Sequence, residues 1–334
     1  MTALAPHLSA YLREHLPRER AVSPHTVKTY ANCFVLLVQF AADRLKRRPT
    51  DLEIEDLGTD MIMAFLDHVE IGRGSCVRTR NGRLAAIRSF FRYIEYRIPA
   101  CLDQALRVRA IPTKKTDKAL IDYLDRAEIK ALLDTPDPRT RLGTRDRAML
   151  HLTYAGGLRV SELVTLQLGD FPDRSLSTMH IMGKGRRERV LPLWKETQIA
   201  LRAWLAIRPQ VEVTEIFLNA NGQPMTRDGF AFRLAEHVKT AATKQPSILE
   251  KRVTPHVLRH SCAMHTLAAT GDIRKVALWL GHASIQSTET YLRADPEEKL
   301  QILAAHGAPA IKPGRFKPPS DALITMLTDV RRRA

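Results

Sequence analysis

The sequence reads TPHVLRHSCAMH over residues 254–265 and LGHASIQSTETYL over residues 280–292. Both segments carry polar side chains where a buried helix would carry apolar ones. His256 and Arg259 are three residues apart, so a helix places them on one face. Tyr291 stands near the end of the second segment, nine residues after a histidine that follows a glycine. We therefore expect a helical region that gathers polar side chains into one site.

Two earlier segments show the same departure from a core pattern. Residues 154–163 read YAGGLRVSEL and place Arg159 close to a glycine pair. Residues 183–189 read GKGRRER, with STMHIM before them and VLPL after them. The flanking segments are typical of strands, so residues 176–193 predict a β-hairpin with Lys184 at its tip.

Most of the remaining sequence is helical in pattern, so we predict a mainly α fold with a small antiparallel β-sheet. Apolar residues at helical spacing predict helices near residues 7–16, 24–40, 59–69, 78–96, 125–134, 144–154, 194–207, 227–240 and 296–306. A proline-containing basic segment interrupts this pattern after residue 98. At 334 residues the chain is long enough for two domains. We place them at 1–108 and 122–306, with a linker at 109–121 and a tail at 307–334.

The charge balance indicates a polyanionic partner. Lys and Arg number 52 against 36 Asp and Glu, which gives a net charge of +16. An apolar fraction of 44% is typical of a globular protein and excludes a disordered one. A strongly basic globular chain favours nucleic acid as the partner.

Cysteine use and hydropathy predict the compartment. The four cysteines form no CxxC pair, which favours reduced, buried thiols. We find no apolar run long enough for a membrane span, and the N-terminal residues do not read as a signal peptide. We expect a cytoplasmic, nucleoid-associated protein with no membrane partner.

The predicted helix at 78–96 has an apolar face and an opposed basic face. Its basic side carries Arg80, Arg83, Arg88 and Arg92, and the pair Lys114-Lys115 follows in the predicted linker. Such a helix suits DNA, although any solvated helix shows the same pattern. We predict DNA contacts at Arg80, Arg83, Arg88, Lys114 and Lys115, and at Arg186 and Arg187 in the hairpin turn.

The four polar segments together supply what phosphodiester chemistry without a metal requires. Arg159 and Arg259 offer two permanently charged forks to stabilise the charge that develops on the phosphate oxygens. Lys184 can protonate the leaving 5′ oxygen, the more readily if neighbouring cations lower its pKa. Tyr291 can attack as a covalent nucleophile, with histidines nearby to handle its proton. We expect no metal and no other cofactor.

These motifs resemble the active site of the tyrosine recombinase, or phage integrase, family. The wording matches at GLRVSEL, GKGRRERVLPL, HVLRHSCA and LGHASIQSTETY, and the resemblance covers residues 125–295. It implies that Arg159 and Arg259 bind the scissile phosphate, that Lys184 is the general acid and that Tyr291 forms a 3′-phosphotyrosyl bond. His256 and His282 would assist with protons and phosphate, and Glu162 would give structural support at most.

The resemblance also implies an architecture and an assembly. Residues 1–108 would be a SAM-like core-binding domain that closes with the catalytic domain as a two-domain, C-shaped clamp on double-stranded DNA. Family members act as tetramers on two specific sites, as homo-oligomers or with related recombinases, through a Holliday junction. The tail offers an apolar face on residues 321–333 that would dock on a neighbouring protomer, or it would be a disordered basic end.

Several alternatives stay open on sequence grounds. A type IB-like topoisomerase would use the same chemistry without site choice, and a DNA-binding regulator would keep the fold without activity. A metal-dependent nuclease or transposase would need a carboxylate cluster, whereas the acids here are scattered. If the chain is a recombinase, two biological roles are open: integration or transposition of a mobile element, and Xer-type chromosome or plasmid dimer resolution. The tail favours the mobile element.

Overall fold

The computed structural model describes residues 2–117, 120–173, 175–183, 188–282 and 284–294, together with residues 326, 329 and 331. The chain divides between residues 118 and 119 into two compact units. None of the described helices combines the length and the apolar character needed to cross a lipid bilayer. Within the same residues, no three or more His, Cys, Asp or Glu side chains are grouped to hold a metal ion.

The regular elements described in unit 1 are helices, and one isolated antiparallel bridge joins Ala3 and Glu53. Its α-helices are α1 (Leu4–Ala10), α2 (Pro24–Leu45), α3 (Thr59–Asp67), α4 (Val77–Arg97) and α5 (Leu102–Ala110). Wider π-helical turns extend α1 over Tyr11–Glu19 and α3 over His68–Gly72. The Ser23 side chain accepts a hydrogen bond from the Thr26 backbone N–H and begins α2 with Pro24 in its first turn.

The core of unit 1 is formed by the apolar faces of these helices. The predicted apolar face of α4 is buried, at Leu84, Ile87, Phe90, Phe91 and Ile94. Helix α5 was not expected, because the prolines around it indicate a break in the helical pattern. It buries only Ala105 and Val108 and leaves Leu102 and Leu106 exposed, a weak amphipathic signal for a nine-residue helix.

Unit 2 combines helices with one small sheet. Its elements are α6 (Arg126–Leu133), α7 (Arg141–Ala155), α8 (Val160–Val164), β1 (Thr178–Met182), β2 (Glu188–Pro192), α9 (Lys195–Ile207), α10 (Arg227–Ala242), α11 (Pro255–Thr270), α12 (Ile273–Leu280) and α13 (Glu289–Ala294). Strands β1 and β2 pair antiparallel, with Ile181 opposite Arg189 and Met179 opposite Leu191. The predicted hairpin and the mainly α fold class are confirmed.

Two features of unit 2 fix the helices that later carry the site. Helix α11 begins at the Thr254 N-cap and ends at Gly271, which is in the left-handed conformation at φ 60°. Helix α12 ends in the same way at Gly281, at φ 62°. The two helices pack together and bury Met264, Val276 and Leu280 in one small apolar cluster. The backbone that leads from Gly281 to α13 therefore starts at a position that is held by the packing of α12 on α11.

Candidate active site

A buried carboxylate, Glu162, joins the arginines of the site. Arg159 directly precedes α8, and its Nη1 donates to Glu162 Oε1 at 2.6 Å. From β2, Arg189 Nη2 donates to Glu162 Oε2 at 2.8 Å. Arg259 Nη1, on α11, lies 3.9 Å from the same oxygen. One negative charge thus gathers three positive ones, so the cluster keeps a net positive charge that suits an anion.

The ionisation of Glu162 follows from these contacts. Burial raises the pKa of its carboxyl, but the hydrogen bond and charge of Arg189, with those of Arg159, lower that pKa by more. The net pKa of Glu162 lies below its ordinary value, so the group is ionised at neutral pH. The sequence predicted structural support at most for Glu162. In the structure, this support consists of ionic contacts with arginines that precede α8 or lie on β2 and α11.

Backbone carbonyls hold Arg259 in place. The side chain is only 1% exposed, and its guanidinium donates to Gly157 O and, at 2.8 Å, to Leu280 O. Burial and the charge of Arg159 lower the pKa of Arg259 to about 10, which leaves it protonated at neutral pH. Gly157 has φ 53°, and a Cβ there would lie 2.5 Å from Leu280 Cδ2, so this close approach requires glycine.

Tyr291 lies on α13 with its phenol inside unit 2. It is 2% exposed and packs in the apolar cluster with Met264, Val276 and Leu280. Its Oη is 3.0 Å from His260 Nδ1. Burial raises the pKa of Tyr291 to about 12, and the charges of Arg259 and Arg159 act in the opposite direction. The resting phenol is therefore protonated at neutral pH.

The His260 and His282 rings lie beside the Tyr291 ring, and the His256 ring packs against His260. The His282 ring is parallel to the Tyr291 ring, 8° apart in orientation and 6.4 Å between centroids, and its Nδ1 is 2.8 Å from Thr288 Oγ1. The His256 ring meets the His260 ring edge-on at 4.3 Å. Burial, followed by nearby positive charges, lowers the pKa of His256, and it lowers that of His282 to about 4. Both rings are neutral at pH 7 and can accept a proton.

Arg189 is a site residue that sequence analysis did not predict. Its side chain is 9% exposed, and a Cβ on Gly281 would lie 2.9 Å from its Cδ. It therefore fills the space beside the backbone that leads to His282. Strand alternation was the available signal, because Arg189 shares a strand face with buried Leu191.

The structure brings most of the predicted chemistry together. Arg159 and Arg259 meet at Glu162, and Arg259 donates to the Leu280 carbonyl two residues before His282. The His282 ring lies parallel to the Tyr291 ring, and His256 packs on His260, which contacts Tyr291. Lys184, with Arg186 and Arg187, lies outside the described residues. His260 joins the site although the sequence analysis gave it no catalytic role; its position four residues after His256, on the same helical face, was the available signal.

Known proteins are similar in sequence to this chain over most of its length. The profile of the Phage integrase family matches residues 122–298, and that of the phage integrase N-terminal SAM-like domain matches residues 8–97. This chain belongs to the phage integrase family of tyrosine recombinases. "Putative integrase/recombinase y4rC" of Sinorhizobium fredii is 39% identical to this recombinase, over 98% of each chain. Tyrosine recombinase XerC of Myxococcus xanthus is 35% identical over 90% of this chain and 97% of its own.

Solved structures share the fold of this recombinase. XerH bound to a palindromic difH substrate, in a post-cleavage complex, matches with a TM-score of 0.65 at 20% identity over 89% of this chain and 84% of that one. The Tn1549 transposon integrase with circular intermediate DNA matches with a TM-score of 0.65 at 17% identity, over 90% and 99% of the two chains. The chain is thus a site-specific recombinase in family and in fold.

The predicted DNA contacts of unit 1 have different surroundings. Arg80 is 2% exposed, and its guanidinium is turned to Glu70, Asn81 and the Pro112 carbonyl, so the expectation of a direct DNA contact there is corrected. Arg83 and Arg88 are half-buried, and the Arg88 guanidinium donates to the Ile111 carbonyl. Exposed Lys114 pairs with Glu70 at 2.7 Å, and exposed Lys115 follows it. Arg83, Arg88, Lys114 and Lys115 stay predictions.

Proposed function

We propose that this recombinase cuts and rejoins DNA at a specific site through a covalent 3′-phosphotyrosyl bond to Tyr291, and that strands exchange through a Holliday junction. The observation that carries the proposal is the position of Tyr291 next to the residues that hold the arginines. Its ring packs in a cluster with Leu280, whose carbonyl accepts from Arg259, and Arg259 and Arg159 both lie against Glu162. A nucleophile beside two fixed cations is what attack on a phosphodiester needs.

The arginines have distinct parts in this proposal. Arg259 is held by carbonyls and presents a fixed positive field. Arg159 is bonded to Glu162 through Nη1, and its side chain, which is 30% exposed, is accessible to an incoming phosphate. Both stabilise the negative charge that spreads over the non-bridging oxygens in the transition state. Glu162 positions them and touches no reacting atom.

Protons are handled on both sides of the phosphate. Lys184 protonates the leaving 5′ oxygen, and His256 and His282 assist with proton transfer and phosphate binding. The phosphotyrosyl bond keeps the free energy of the broken phosphodiester. Rejoining therefore needs no ATP, and two arginines take the charge-stabilising part that a metal ion takes in other nucleases.

A nicked suicide substrate tests the proposal. A duplex with a nick just beyond the cleavage point loses a short fragment after cleavage, so religation fails and the covalent complex accumulates. We expect a protein–DNA band that resists detergent, forms in EDTA without ATP, and maps to the peptide that contains Tyr291. A recombinase that binds its site and forms no such band would instead be a DNA-binding regulator.

We propose a mobile element as the biological context, with integration or transposition as the outcome. The integrase-named relative matches 98% of both chains, and the Tn1549 transposon integrase shares the fold. Chromosome or plasmid dimer resolution in the cytoplasm is the second candidate, favoured by the 35% identity to XerC. An assay that excises a segment flanked by the gene's own terminal repeats, beside a plasmid dimer that carries a chromosomal site, separates the two.

We propose that the recombinase assembles as a tetramer on two DNA sites, with residues 321–333 of one copy docked on unit 2 of the next. A cavity of about 440 Å³ in unit 2 is a suitable acceptor. It is mainly apolar, and Trp194 and Leu278 at its rim are 52% and 79% exposed. The proposed occupant carries Leu323, Met326, Leu327 and Val330 at a spacing in the sequence that predicts an apolar helical face.

Deletion of residues 308–334 and the substitution Leu278→Ser test this assembly. Each is expected to reduce synaptic complexes in native gels. Leu278→Ser does not change the net charge and is expected to leave binding of a single site intact, whereas the deletion removes six basic and two acidic residues, so its synapsis is compared at DNA-saturating protein concentrations. Phe232→Ser, at an exposed apolar side chain on α10, is the matched control. Undiminished synapsis by the deletion variant would contradict tail docking, and loss of synapsis by Leu278→Ser alone would point to another occupant of the cavity.

A further inference from the structure

His260 makes the hydrogen bond to the proposed nucleophile. Its Nδ1 is 3.0 Å from Tyr291 Oη, and the two rings meet at 64° with centroids 5.6 Å apart. His260 directly follows Arg259 on α11, so the helix that holds one phosphate-binding arginine also presents this ring. A buried phenol usually has a partner for its hydroxyl, and here that partner is a base.

The other two histidines of the site have different neighbours. His282 Nδ1 is 2.8 Å from Thr288 Oγ1, and its ring lies parallel to the Tyr291 ring at 6.4 Å. His256 is exposed in the first turn of α11 and packs against His260 at 4.3 Å. Within the described residues, the imidazole nitrogen at hydrogen-bond distance from Tyr291 Oη is that of His260.

We propose that His260 is a catalytic residue, the group that accepts the phenolic proton as Tyr291 attacks the DNA phosphate. The inference rests on the proposed role of Tyr291 as the nucleophile. The Oη–P bond forms while the P–O5′ bond breaks. The phenolic proton moves to His260 Nδ1, and the leaving O5′ takes a proton from Lys184. Religation reverses both transfers, so His260 then returns its proton to the tyrosine.

The surroundings of His260 leave its ring unprotonated before the reaction. Burial, followed by the charges of His256, Arg259 and His282, lowers the pKa of His260 to about 4, so the ring is neutral at pH 7. Its proton must reside on Nε2 for Nδ1 to accept from the phenol. A phosphate held by Arg159 and Arg259 would add negative charge nearby and favour the imidazolium formed during attack.

The chain contains a matched control on the same helix. His265 Nδ1 is 2.8 Å from Tyr154 Oη, so a second half-buried histidine pairs with a second tyrosine away from the arginine cluster. We expect His260→Gln to slow formation of the covalent adduct on saturating suicide substrate by about 100- to 10,000-fold, the usual range for general acid–base catalysis. His265 lines the cavity proposed for the tail, so both variants are compared on a duplex with a single site, where synapsis is not required, and His265→Gln is expected to react there at nearly the wild-type rate.

A modified substrate distinguishes proton transfer to the leaving oxygen from proton transfer away from the attacking oxygen. In a 5′-bridging phosphorothiolate the leaving group is a thiolate, which needs no proton from the enzyme. We expect this substrate to restore cleavage by Lys184→Ala and to leave His260→Gln slow, because the missing proton acceptor acts on the attacking oxygen. Restoration of His260→Gln by the sulfur substrate would overturn the inference, as would a His260→Gln rate close to wild type on the ordinary substrate.

A second variant guards against a folding defect. Added imidazole is expected to speed adduct formation by His260→Ala and to leave His265→Ala unchanged, a response that a purely structural role would not give. If neither thermal melting nor DNA binding of His260→Ala is altered and imidazole has no effect, the inference fails. Its failure differs from failure of the proposed function, in which the wild-type adduct itself would be absent or map to a residue other than Tyr291.

Discussion

Tyr291→Phe is expected to abolish the covalent DNA adduct and to leave DNA binding nearly unchanged. The substitution removes only the oxygen that would bond to phosphorus, and the ring keeps its packing against Met264, Val276 and Leu280. Loss of the nucleophile should slow cleavage by roughly 10⁴-fold or more, as removal of a covalent catalytic group does. Binding depends chiefly on the net charge of +16, which does not change.

The measurement is adduct formation on the suicide substrate beside a gel-shift titration of the same duplex. Tyr154→Phe is the control, because Tyr154 is also largely buried and its hydroxyl also meets a histidine of α11, at 2.8 Å. Both variants lose one hydrogen bond to a histidine, so their melting temperatures should fall by similar amounts. An adduct of normal yield from Tyr291→Phe would show that another residue is the nucleophile.

Arg159→Ala is expected to have the second largest effect. The Arg159 side chain is 30% exposed, so its removal leaves the fold intact, and Glu162 keeps Arg189 as an ionic partner. Loss of one fixed donor to a developing oxyanion typically costs about 100- to 1,000-fold in rate. Arg159→Lys keeps the charge but loses the planar fork, and we expect it to recover only part of that rate.

Single-turnover cleavage at saturating DNA measures this effect apart from binding. Arg202→Ala is the control, because it removes one exposed guanidinium from α9, where Arg202 donates to the Ser175 carbonyl at 2.9 Å. We expect Arg202→Ala to cleave at the wild-type rate. A loss in affinity alone for Arg159→Ala, with cleavage unchanged at saturation, would mean that the guanidinium binds DNA without stabilising the transition state.

The sequence predicted what is local and periodic. The apolar face of α4 and the strands on either side of Lys184 each depend on residues close together in the chain. The candidate catalytic residues were predicted for another reason. Each occurs in a motif that resembles a known family, and the comparisons confirm the family.

Contacts across the chain could not be predicted in this way. Arg189 is 27 residues from Glu162 in sequence, and although alternation with buried Leu191 indicates that its side chain faces the core, it does not identify Glu162 as its partner. His260 reads as one more histidine in a motif until α13 brings Tyr291 beside it, 31 residues on. The predicted DNA contact of Arg80 was corrected because the side chain is buried. A basic helical face in the sequence does not show which of its arginines the neighbouring residues cover.

The division of the chain between residues 118 and 119 has a practical consequence for engineering. Every described side chain that we propose to take part in the chemistry, from Arg159 to Tyr291, comes after residue 118 in the sequence. Libraries that vary α2 and α4 of unit 1 therefore leave these groups untouched. A search for recombinases with new target sites can begin there, and trapping of the covalent adduct will report separately whether each variant still cuts.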